Sequence, residues 1–419
     1  MPMSTSYQKR LSKILPQIVD TFGTPFHIYD EKGIKETCRK LTTAFENIEG
    51  FKEFFAVKAL PNPSIMKIMQ EMGFGFDCSS TPEIHLSRQI GSFKEDIMFT
   101  SNNTSSPQFE MATKNDGCIL NLDDISLISK LIDIPDLICF RYNPGLRRNG
   151  NKIIGSPVES KYGVSHDQIL DAYTQAKTLG VKRFGIHTML ASNELDYKYM
   201  VETTRMLLDI VELVCEELDI TFEFINIGGG LGIPYTPDTK PFDLDSMTKE
   251  IVQLFKIFKN RNAWVPRLYM ESGRYITGPH GALVTSVINH KNTYRKYVGV
   301  DASMSALMRP GMYDAYHHIH IHGKKESAAM KKVDVVGALC ENIDKFAVQR
   351  KLPDTIEGDI LVIHDTGAHG HAMGFNYNGH LRPKELLLRK DSSVELIRRA
   401  ETMDDYFSTL TFEPKTLRF

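Results

Sequence analysis

The sequence predicts an α/β protein in which a (β/α)8 TIM-like barrel is followed by a C-terminal β domain. Eight short apolar runs with β propensity recur along the chain, and each is followed by a turn signal and an amphipathic stretch. After Tyr275 this alternation stops, and strand-like runs follow one another with no helix of comparable length before the segment after Asp365. We therefore assign the barrel to residues 36–280 and the β domain to residues 281–419, which a strand within residues 1–35 is expected to join.

Each predicted strand is identified by its apolar run. In chain order the eight barrel runs are FFAVKA, GFDCSS, DIMFT, CILNL, LICFRYN, FGIHTM, FEFINIGGG and RLYMESGRY. The helical patterns between them include PNPSIMKIMQEMG, TPEIHLSRQIG, DQILDAYTQAKTLG and DYKYMVETTRMLLDIVELVCEEL, with Thr81 and Asp196 as capping residues. The later strands are predicted by ALVTSVINHK, KYVGVDAS, HHIHIHG, KKVDVVGALC and DILVIHDTGA, and the N-terminal strand by PFHIYD, residues 25–30.

Composition and charge narrow the class of protein. Hydrophobic residues make up 42% of the chain and charged residues 24%, which is ordinary for a globular protein with a large core. Lys and Arg number 50 and Asp and Glu 52, so the net charge of −2 creates no field that would attract nucleic acid or an anionic membrane. The six cysteines have no CxxC spacing, and the sequence has neither a signal-peptide pattern nor a long apolar run. We expect a soluble cytoplasmic protein with reduced thiols and no metal site, and neither nucleic acid nor membrane as a partner.

Reactive side chains gather where the predicted barrel strands end. Catalytic groups of (β/α)8 barrels lie at the carboxyl ends of the strands, so this distribution predicts an active site there. The residues concerned are Lys58, Asp77, Ser101, Asn102, Arg141, Asn143, His187, Gly228, Gly229, Gly230, Glu271 and Arg274.

Lys58 ends the first strand and is the candidate nucleophile. Burial at the end of an apolar strand would lower the pKa of its ammonium group and favour the neutral amine, which forms Schiff bases with carbonyl groups. The alternative is a salt-bridged lysine at the barrel rim. Gly228–Gly230, after strand seven, would let backbone N–H groups approach an anion such as a cofactor phosphate, although three glycines also suit a plain tight turn.

Glu271 and His187 are the candidate partners of a cofactor ring. A carboxylate at the end of strand eight could keep a pyridine nitrogen protonated and so make the ring a strong electron sink. Its alternative is a buried carboxylate paired with Arg274. His187 could stack on the face of the ring, and its alternative is a hydrogen-bonded histidine of the core.

Six motifs occur in order along residues 24–390: FAVKA, INIGGG, ESGRY, MRPGMYDAYH, CENID and DTGAHGHAMGFNYNGHLRPKELLL. In these motifs the chain resembles the fold-type III pyridoxal-phosphate-dependent amino-acid decarboxylases, and most closely the diaminopimelate decarboxylases among them. The resemblance implies an alanine-racemase-like barrel with a β domain and the cofactor pyridoxal 5'-phosphate. It also implies a homodimer in which the CENID segment reaches into the active site of the partner subunit.

The resemblance also implies residue roles. Lys58 forms the Schiff base with the cofactor, and Cys340 is the residue on the side from which the product carbon is protonated. The implied cofactor-binding residues are Lys58, Asp77, His187, Ser192, Gly229, Gly230, Glu271 and Tyr377. The implied substrate-binding residues are Arg274, Arg309 and Tyr313 for the carboxylate that is kept, Glu341 for the distal ammonium group, and Tyr377. The implied reaction is decarboxylation of meso-diaminopimelate to L-lysine and CO2, a step of lysine biosynthesis.

Two motifs depart from the family pattern. In HTMLAS the serine is Ser192, five residues after His187 instead of three, which leaves its phosphate role open. In CENID, Asn342 and Ile343 replace the small residues of the usual CESGD, so selectivity for the length of the substrate could differ. The alternative substrates are D-ornithine, D-lysine and carboxynorspermidine, each of which has a distal cation.

Three other functions fit the sequence less well. Alanine racemases have an arginine at the pyridine nitrogen, where this chain has Glu271. A noncatalytic pyridoxal-phosphate carrier is usually a lone barrel, without a β domain. An inactive regulatory homologue should have lost Lys58 or Cys340, and this chain retains both.

Overall fold

The computed structural model describes residues 3–114, 117–150, 153, 155–325 and 330–417. The chain divides into two compact units. The barrel unit is Lys32–Pro279, and the β unit combines the residues up to Glu31 with those from His280 onward. The predicted fold class, a (β/α)8 barrel with a separate β domain, is confirmed.

The chain begins with elements that flank the barrel in sequence. Helix α1 spans Thr5–Phe22, strand β1 spans Phe26–Asp30, and helix α2 spans Glu31–Ala44. Ser4 caps α1, because its hydroxyl accepts the N–H of Tyr7 at 3.1 Å. The buried face of α1 recurs at intervals of three or four residues, and its members are Tyr7, Leu11, Leu15 and Ile18.

The barrel is a closed parallel sheet. Its strands are β2 (Lys52–Ala56), β3 (Gly75–Cys78), β4 (Lys94–Ser101), β5 (Cys118–Leu122), β6 (Leu137–Asn143), the two-residue β7 (Val164–Ser165), β8 (Arg183–His187), β9 (Phe222–Asn226) and β10 (Arg267–Met270). All pairings among them are parallel in the part of the chain that the structure describes, and β7 pairs only with β6. The sheet closes because β10 pairs with β2 and β5 with β6, so the other eight strands form the ring.

Helices connect most successive barrel strands. They are α3 (Pro63–Glu71), α4 (Thr81–Gln89), α5 (Ser106–Thr113), α6 (Ile169–Thr178), α7 (Tyr197–Leu218), α8 (Leu244–Asn262) and the short α9 (Arg274–Thr277). Asp196 caps α7 as predicted, accepting the N–H of Lys198 at 3.0 Å. The N-cap of α4 is Ser80, so the prediction of Thr81 was one residue late.

One crossover departs from the predicted strand–helix alternation. Between β5 and β6 the chain forms only the 3-10 helix Ile125–Lys130, which Asp124 caps by accepting the N–H of Ser126 at 2.9 Å. The segment available between the two strands is short and contains Pro135, which has no N–H for a helix that would continue through it. Three further 3-10 turns are described in this unit, at Val57–Ala59, Gly145–Arg147 and His166–Gln168, and a fourth, Gly278–His280, spans the boundary to the β unit.

Side chains from strands all round the ring fill the barrel. The cluster consists of Phe54, Met98, Ile119, Leu137, Cys139, Phe224 and Tyr269. The rings of Phe224 and Tyr269 stack with centroids 4.3 Å apart. Gly185 on β8 makes room for this packing, since a Cβ there would lie 2.1 Å from the Phe224 ring. The interior is therefore a packed core, and polar chemistry is confined to the strand ends.

The β unit is a mixed sheet. Its further strands are β11 (Gly281–Asn292), β12 (Lys296–Val300), β13 (Ile319–Ile321), β14 (Met330–Val336), β15 (Lys345–Pro353), β16 (Ile360–His364), β17 (Lys384–Leu388) and β18 (Val394–Arg398). The strand order is β15-β14-β12-β11-β1-β17-β18, with β16 paired to β11 and β13 to β16. Strand β1 is antiparallel to β11 and parallel to β17.

Apart from α1, the helices described in the β unit are short. They are α10 (Arg309–Tyr313), α11 (Met403–Phe407) and the 3-10 turns His371–Met373 and Tyr377–Gly379. The segment after Asp365 therefore contains no long helix among its described residues. None of the helices described in either unit has the length and apolar character needed to cross a membrane.

Candidate active site

Lys58 stands at the mouth of the barrel, in the Val57–Ala59 turn directly after β2. Its Nζ donates to Asp77 Oδ2 at 2.9 Å and to Ser79 Oγ at 3.4 Å. Ala56 pairs with Asp77 between β2 and β3, and this register brings Lys58 close to Asp77. The Lys58 side chain is 47% exposed whereas that of Asp77 is 1% exposed, so the amine reaches out of the barrel over a buried carboxyl group.

The expected depression of the Lys58 pKa was wrong. Burial does lower the pKa of the ammonium group, but the carboxylates of Asp77 and Glu271 more than offset it, so the pKa is raised. For Asp77, burial and the Glu271 charge raise the pKa more than Lys58 lowers it. Lys58 is thus paired with Asp77, as the salt-bridged alternative supposed.

Glu271 is held by two buried neighbours. Its Oε2 lies 3.1 Å from His187 Nε2, and its Oε1 accepts the Asn226 amide at 2.7 Å. Burial raises the pKa of Glu271, but the charges of His187 and Lys58 and the Asn226 hydrogen bond lower it further, so the net pKa is lowered. Glu271 is thus a carboxylate at neutral pH, paired with His187 and Asn226 and not with Arg274 as the alternative supposed. His187 is hydrogen-bonded, as its own alternative supposed.

The glycine loop requires its glycines. Gly228 and Gly230 have φ of +69° and +103°, a left-handed region that favours glycine. A Cβ on Gly229 would lie 2.1 Å from the carbonyl oxygen of Glu271, and the Glu271 N–H donates to the Gly228 carbonyl at 2.9 Å. The loop is therefore fixed against the turn that carries Glu271. The Gly229 N–H donates to the sulfur of Met189 at 3.2 Å. Backbone N–H groups in such a loop are suited to holding an anion.

The longer HTMLAS segment still brings its serine beside the other site residues. The Glu194 N–H donates to the Gly230 carbonyl at 2.8 Å, so the segment after His187 runs along the glycine loop. Ser192 Oγ accepts from the Arg274 guanidinium at 3.4 Å, and the same guanidinium donates to the Tyr235 hydroxyl at 2.6 Å. The two extra residues therefore lengthen the connection while Ser192 stays next to Arg274.

The remaining predicted residues lie in the β unit, on three adjoining segments. Arg309 and Tyr313 begin and end α10, and a Cβ on Gly311 between them would lie 2.4 Å from the Ile343 carbonyl oxygen of CENID. The N–H of Cys340 in CENID donates to the side chain of Asn378, next to Tyr377, at 2.7 Å. The five predicted residues Arg309, Tyr313, Cys340, Glu341 and Tyr377 are thus on neighbouring segments of this unit.

Most of these β-unit residues are exposed. Tyr313 is 61% and Tyr377 52% exposed, and Cys340 and Glu341 are exposed as well. Arg309 differs, because it is buried and donates to His317 Nε2 at 2.8 Å.

Two polar residues that the sequence reading did not single out also belong to the barrel site. Asn226 bonds Glu271, and Asp123 lies 3.5 Å from the Arg141 guanidinium and accepts the Asn102 amide at 3.4 Å. Both follow the same rule as the predicted residues, since Asn226 ends β9 and Asp123 immediately follows β5. Applying the strand-end rule to every polar residue would have found them.

The barrel residues fit pyridoxal phosphate. Lys58 provides an amine, Glu271 a carboxylate, and Gly228–Gly230 a loop of backbone with no room for side chains. His187 Nδ1 and Asp77 Oδ1 are buried atoms with no hydrogen-bond partner within the described residues. An amine, a ring-nitrogen partner and an anion loop at one barrel mouth define a site for a phosphorylated pyridine aldehyde.

Comparison with known proteins assigns the family. The pyridoxal-dependent decarboxylase family, pyridoxal binding domain, matches residues 31–278, and the chain belongs to this family. Protein TabA from Pseudomonas amygdali pv. tabaci is 45% identical over 414 residues, covering 99% of this chain and 97% of TabA. Diaminopimelate decarboxylase from Methanothermobacter thermautotrophicus is 37% identical over 396 residues, covering 93% of this chain and 92% of that enzyme.

Solved structures agree with this assignment. Diaminopimelate decarboxylase from M. jannaschii in complex with L-lysine matches with a TM-score of 0.87 at 29% identity, covering 94% of each chain. The resemblance to fold-type III decarboxylases is therefore confirmed, and so is the cofactor. The chain is a pyridoxal-phosphate-dependent decarboxylase whose substrate is an amino acid.

Proposed function

We propose that this enzyme decarboxylates meso-diaminopimelate to L-lysine and CO2 in lysine biosynthesis. The observation that supports it most is the contact between α10 and CENID at Gly311 and Ile343. This contact puts the cationic Arg309 and the carboxylate of Glu341 on adjoining segments. A diamino acid with a charged group at each end needs such a cation and such an anion to fix its direction.

On the cofactor side, each barrel residue has a distinct task. Bound pyridoxal phosphate supplies a ring that accepts the electron pair left when the carboxylate departs. Lys58 is the covalent attachment, and Asp77 holds its ammonium group when the amine is free. Glu271 is a carboxylate at neutral pH and keeps the ring nitrogen protonated, with Asn226 fixing its orientation. His187 would contact the ring, and Ser192, Gly229 and Gly230 would hold the phosphate.

On the substrate side, arginines hold the carboxylate that is kept, and so determine which bond breaks. Arg274 is oriented by the Tyr235 hydroxyl, and Arg309 is oriented by His317. A guanidinium fixed by a second partner loses less side-chain entropy when it binds a carboxylate. Tyr313 and Tyr377 add hydroxyl contacts, Glu341 binds the distal ammonium group, and Cys340 protonates the product carbon.

We further propose that the enzyme is a homodimer with shared sites. Tyr313, Tyr377 and the CENID loop expose polar and aromatic groups on the β unit. In the proposed dimer these residues complete the barrel site of the partner subunit. Aromatic side chains at such a surface provide contact area with little loss of conformational freedom.

A second candidate is decarboxylation of a related basic amino acid, namely D-ornithine, D-lysine or carboxynorspermidine. It is favoured by Asn342 and Ile343, which follow Glu341 directly and are larger than the small residues of the usual motif. The side chain of Ile343 is 40% exposed, and in the proposed site its bulk would reduce the space for the distal end of the substrate. The 45% identity to TabA, above the 37% to diaminopimelate decarboxylase, is compatible with altered selectivity.

Release of CO2 tests the two candidates. Cofactor-loaded enzyme is incubated with meso-diaminopimelate, D-lysine, D-ornithine, L-ornithine and carboxynorspermidine, with Lys58→Ala as the blank. We expect release from meso-diaminopimelate with the largest kcat/KM, and L-lysine as the product. If CO2 is released only from one of the other compounds, that compound is the substrate and the first candidate is wrong. If CO2 is released from none of them, both candidates are contradicted. The variant Ile343→Gly, which makes the loop smaller, should change the relative kcat/KM values and leave cofactor binding intact.

A further inference from the structure

Glu53 is a buried carboxyl group to which the proposed chemistry assigns no task. It lies in β2 next to Phe54, and because Phe54 packs inside the barrel, the Glu53 side chain points outward to the surrounding helices. Glu53 is 2% exposed. Burial and the charge of Glu53 raise the pKa of the Cys38 thiol on α2 to about 12. A carboxyl group in such an apolar layer lowers stability unless hydrogen bonds compensate it.

The hydrogen bond that Glu53 makes is directed at the active-site turn. Its Oε1 accepts the N–H of Ser272 at 2.5 Å, and its Oε2 has no partner within the described residues. Burial raises the pKa of Glu53 to about 8, and the Glu271 charge contributes, while the Ser272 amide lowers it. Near pH 7 Glu53 is therefore mostly a neutral acid, which still accepts the amide hydrogen through its carbonyl oxygen.

Ser272 lies between Glu271 and the segment that carries Arg274. The pairing of β10 with β2 ends at Met270, opposite Glu53. Beyond this pair the Ser272 carbonyl accepts the N–H of Ala56 at 3.3 Å, and its N–H is taken by the Glu53 side chain. The Glu53 side chain thus extends the hydrogen bonding between β2 and β10 beyond their last paired residues.

The connected segments are the two turns that hold the site. A Cβ on Gly273 would lie 2.7 Å from Cβ of Ala59, so the turn after β10 packs directly against the turn that carries Lys58. On its other side the same turn is fixed to the glycine loop through the Glu271 N–H and the Gly228 carbonyl. The Glu53 side chain contacts this turn on its Lys58 side.

We propose that Glu53 is a positioning residue of this enzyme. Its carboxyl group holds the Ser272 amide and thereby sets the Glu271 carboxylate in register with Lys58 across the cofactor site. The inference rests on the proposed roles of Glu271 and Lys58. If Glu53 served only stability, its replacement would lower the free energy of unfolding without changing the cofactor spectrum or kcat.

Two substitutions separate the hydrogen bond from the charge. Glu53→Gln keeps an oxygen that accepts the Ser272 N–H, whereas Glu53→Leu leaves that buried N–H without an acceptor. A buried donor without a partner distorts its surroundings, so we expect Glu53→Leu to weaken pyridoxal-phosphate binding roughly tenfold. In the loaded Glu53→Leu enzyme the visible absorbance of the cofactor should shift and kcat should fall more than KM changes. Glu53→Gln should stay within about threefold of the wild type in binding and kcat.

The matched control is Cys38→Ala. Cys38 is fully buried in the same layer beside Glu53, and its truncation lowers stability without touching the Ser272 amide. We expect Cys38→Ala to bind the cofactor with wild-type affinity and spectrum. The inference is overturned if Glu53→Leu matches the wild type in cofactor affinity, spectrum and kcat. It is also overturned if Cys38→Ala loses as much cofactor affinity as Glu53→Leu for an equal loss of stability. Borohydride labelling of Lys58 in the wild type tests the proposed function separately, because it does not depend on any Glu53 variant.

Discussion

The barrel unit and the β unit differ in how completely the chain itself surrounds their site residues. In the barrel, Glu271 and His187 are 6% and 1% exposed and bond each other. In the β unit, Tyr313 and Tyr377 are 61% and 52% exposed. Of the residues proposed for the cofactor, this buried pair is thus preorganised within the fold, whereas the two tyrosines proposed for the substrate lie on a surface. The comparison teaches that cofactor binding and substrate recognition should respond differently to mutation.

The largest expected effect is the loss of Lys58. Lys58→Ala removes the amine that attaches the cofactor, so decarboxylation should fall by at least about a thousandfold. Borohydride should leave no cofactor label on the variant, as peptide mass spectrometry would record. Lys52→Ala is the matched control, because Lys52 begins the strand that leads to Lys58 but pairs with Asp96 at 2.6 Å. A labelled Lys58→Ala protein would show that another lysine is the attachment.

The second largest expected effect is the loss of the Glu271 charge in the barrel. Glu271→Gln replaces a carboxylate at the ring nitrogen with a neutral amide of the same shape, so the charge-assisted hydrogen bond is lost. We expect kcat to fall about a hundredfold while the cofactor stays bound. Glu223→Gln, which removes a carboxylate paired with Arg183 and Arg267, serves as the control and should leave kcat unchanged. Full kcat in a loaded Glu271→Gln enzyme would assign Glu271 another role.

The smallest effect concerns stability and pH. The Glu53 pKa is raised from 4.5 to about 8, so between these values the folded protein binds a proton that the unfolded chain has lost. This contribution is fully present below pH 4.5 and is lost as the pH rises through about 8, which lowers the free energy of unfolding. Between pH 6 and pH 8 the wild type should lose about 2 kcal/mol more than Glu53→Gln, measured by urea unfolding. Equal losses in both proteins would mean that Glu53 titrates normally.

Much of the barrel and its cofactor site could be predicted from the sequence. The alternation of apolar runs and amphipathic stretches identified all eight strands of the ring, and the strand-end rule brought Lys58, Asp77, His187 and Glu271 to one mouth. Such patterns report which face of a strand is buried and where a strand ends. They succeeded because both properties depend on neighbours in sequence.

What could not be predicted depends on distances between side chains of different strands. The pKa of Lys58 is raised because Asp77 lies 2.9 Å away across the strand register, and no spacing in the sequence gives that separation. The contact of Glu53 with Ser272 was missed for the same reason. The pairing of Arg309 with His317 depends on how the loop after α10 folds back. The missing α-helix between β5 and β6 reflects a short connection that contains Pro135, a local feature that outweighed the general alternation.

The central proposal is that each active site combines the barrel of one subunit with residues from the β unit of the partner subunit. Mixing two inactive variants tests it most directly. Lys58→Ala spoils the barrel half of a site, Cys340→Ala spoils the β half, and each variant alone should be nearly inactive. After subunit exchange in an equimolar mixture, half of the dimers are mixed and each has one intact site of two. We predict recovery of about a quarter of wild-type decarboxylation. No recovery, with exchange demonstrated by mass spectrometry of tagged subunits, would contradict the claim and assign Lys58 and Cys340 to one site within one chain.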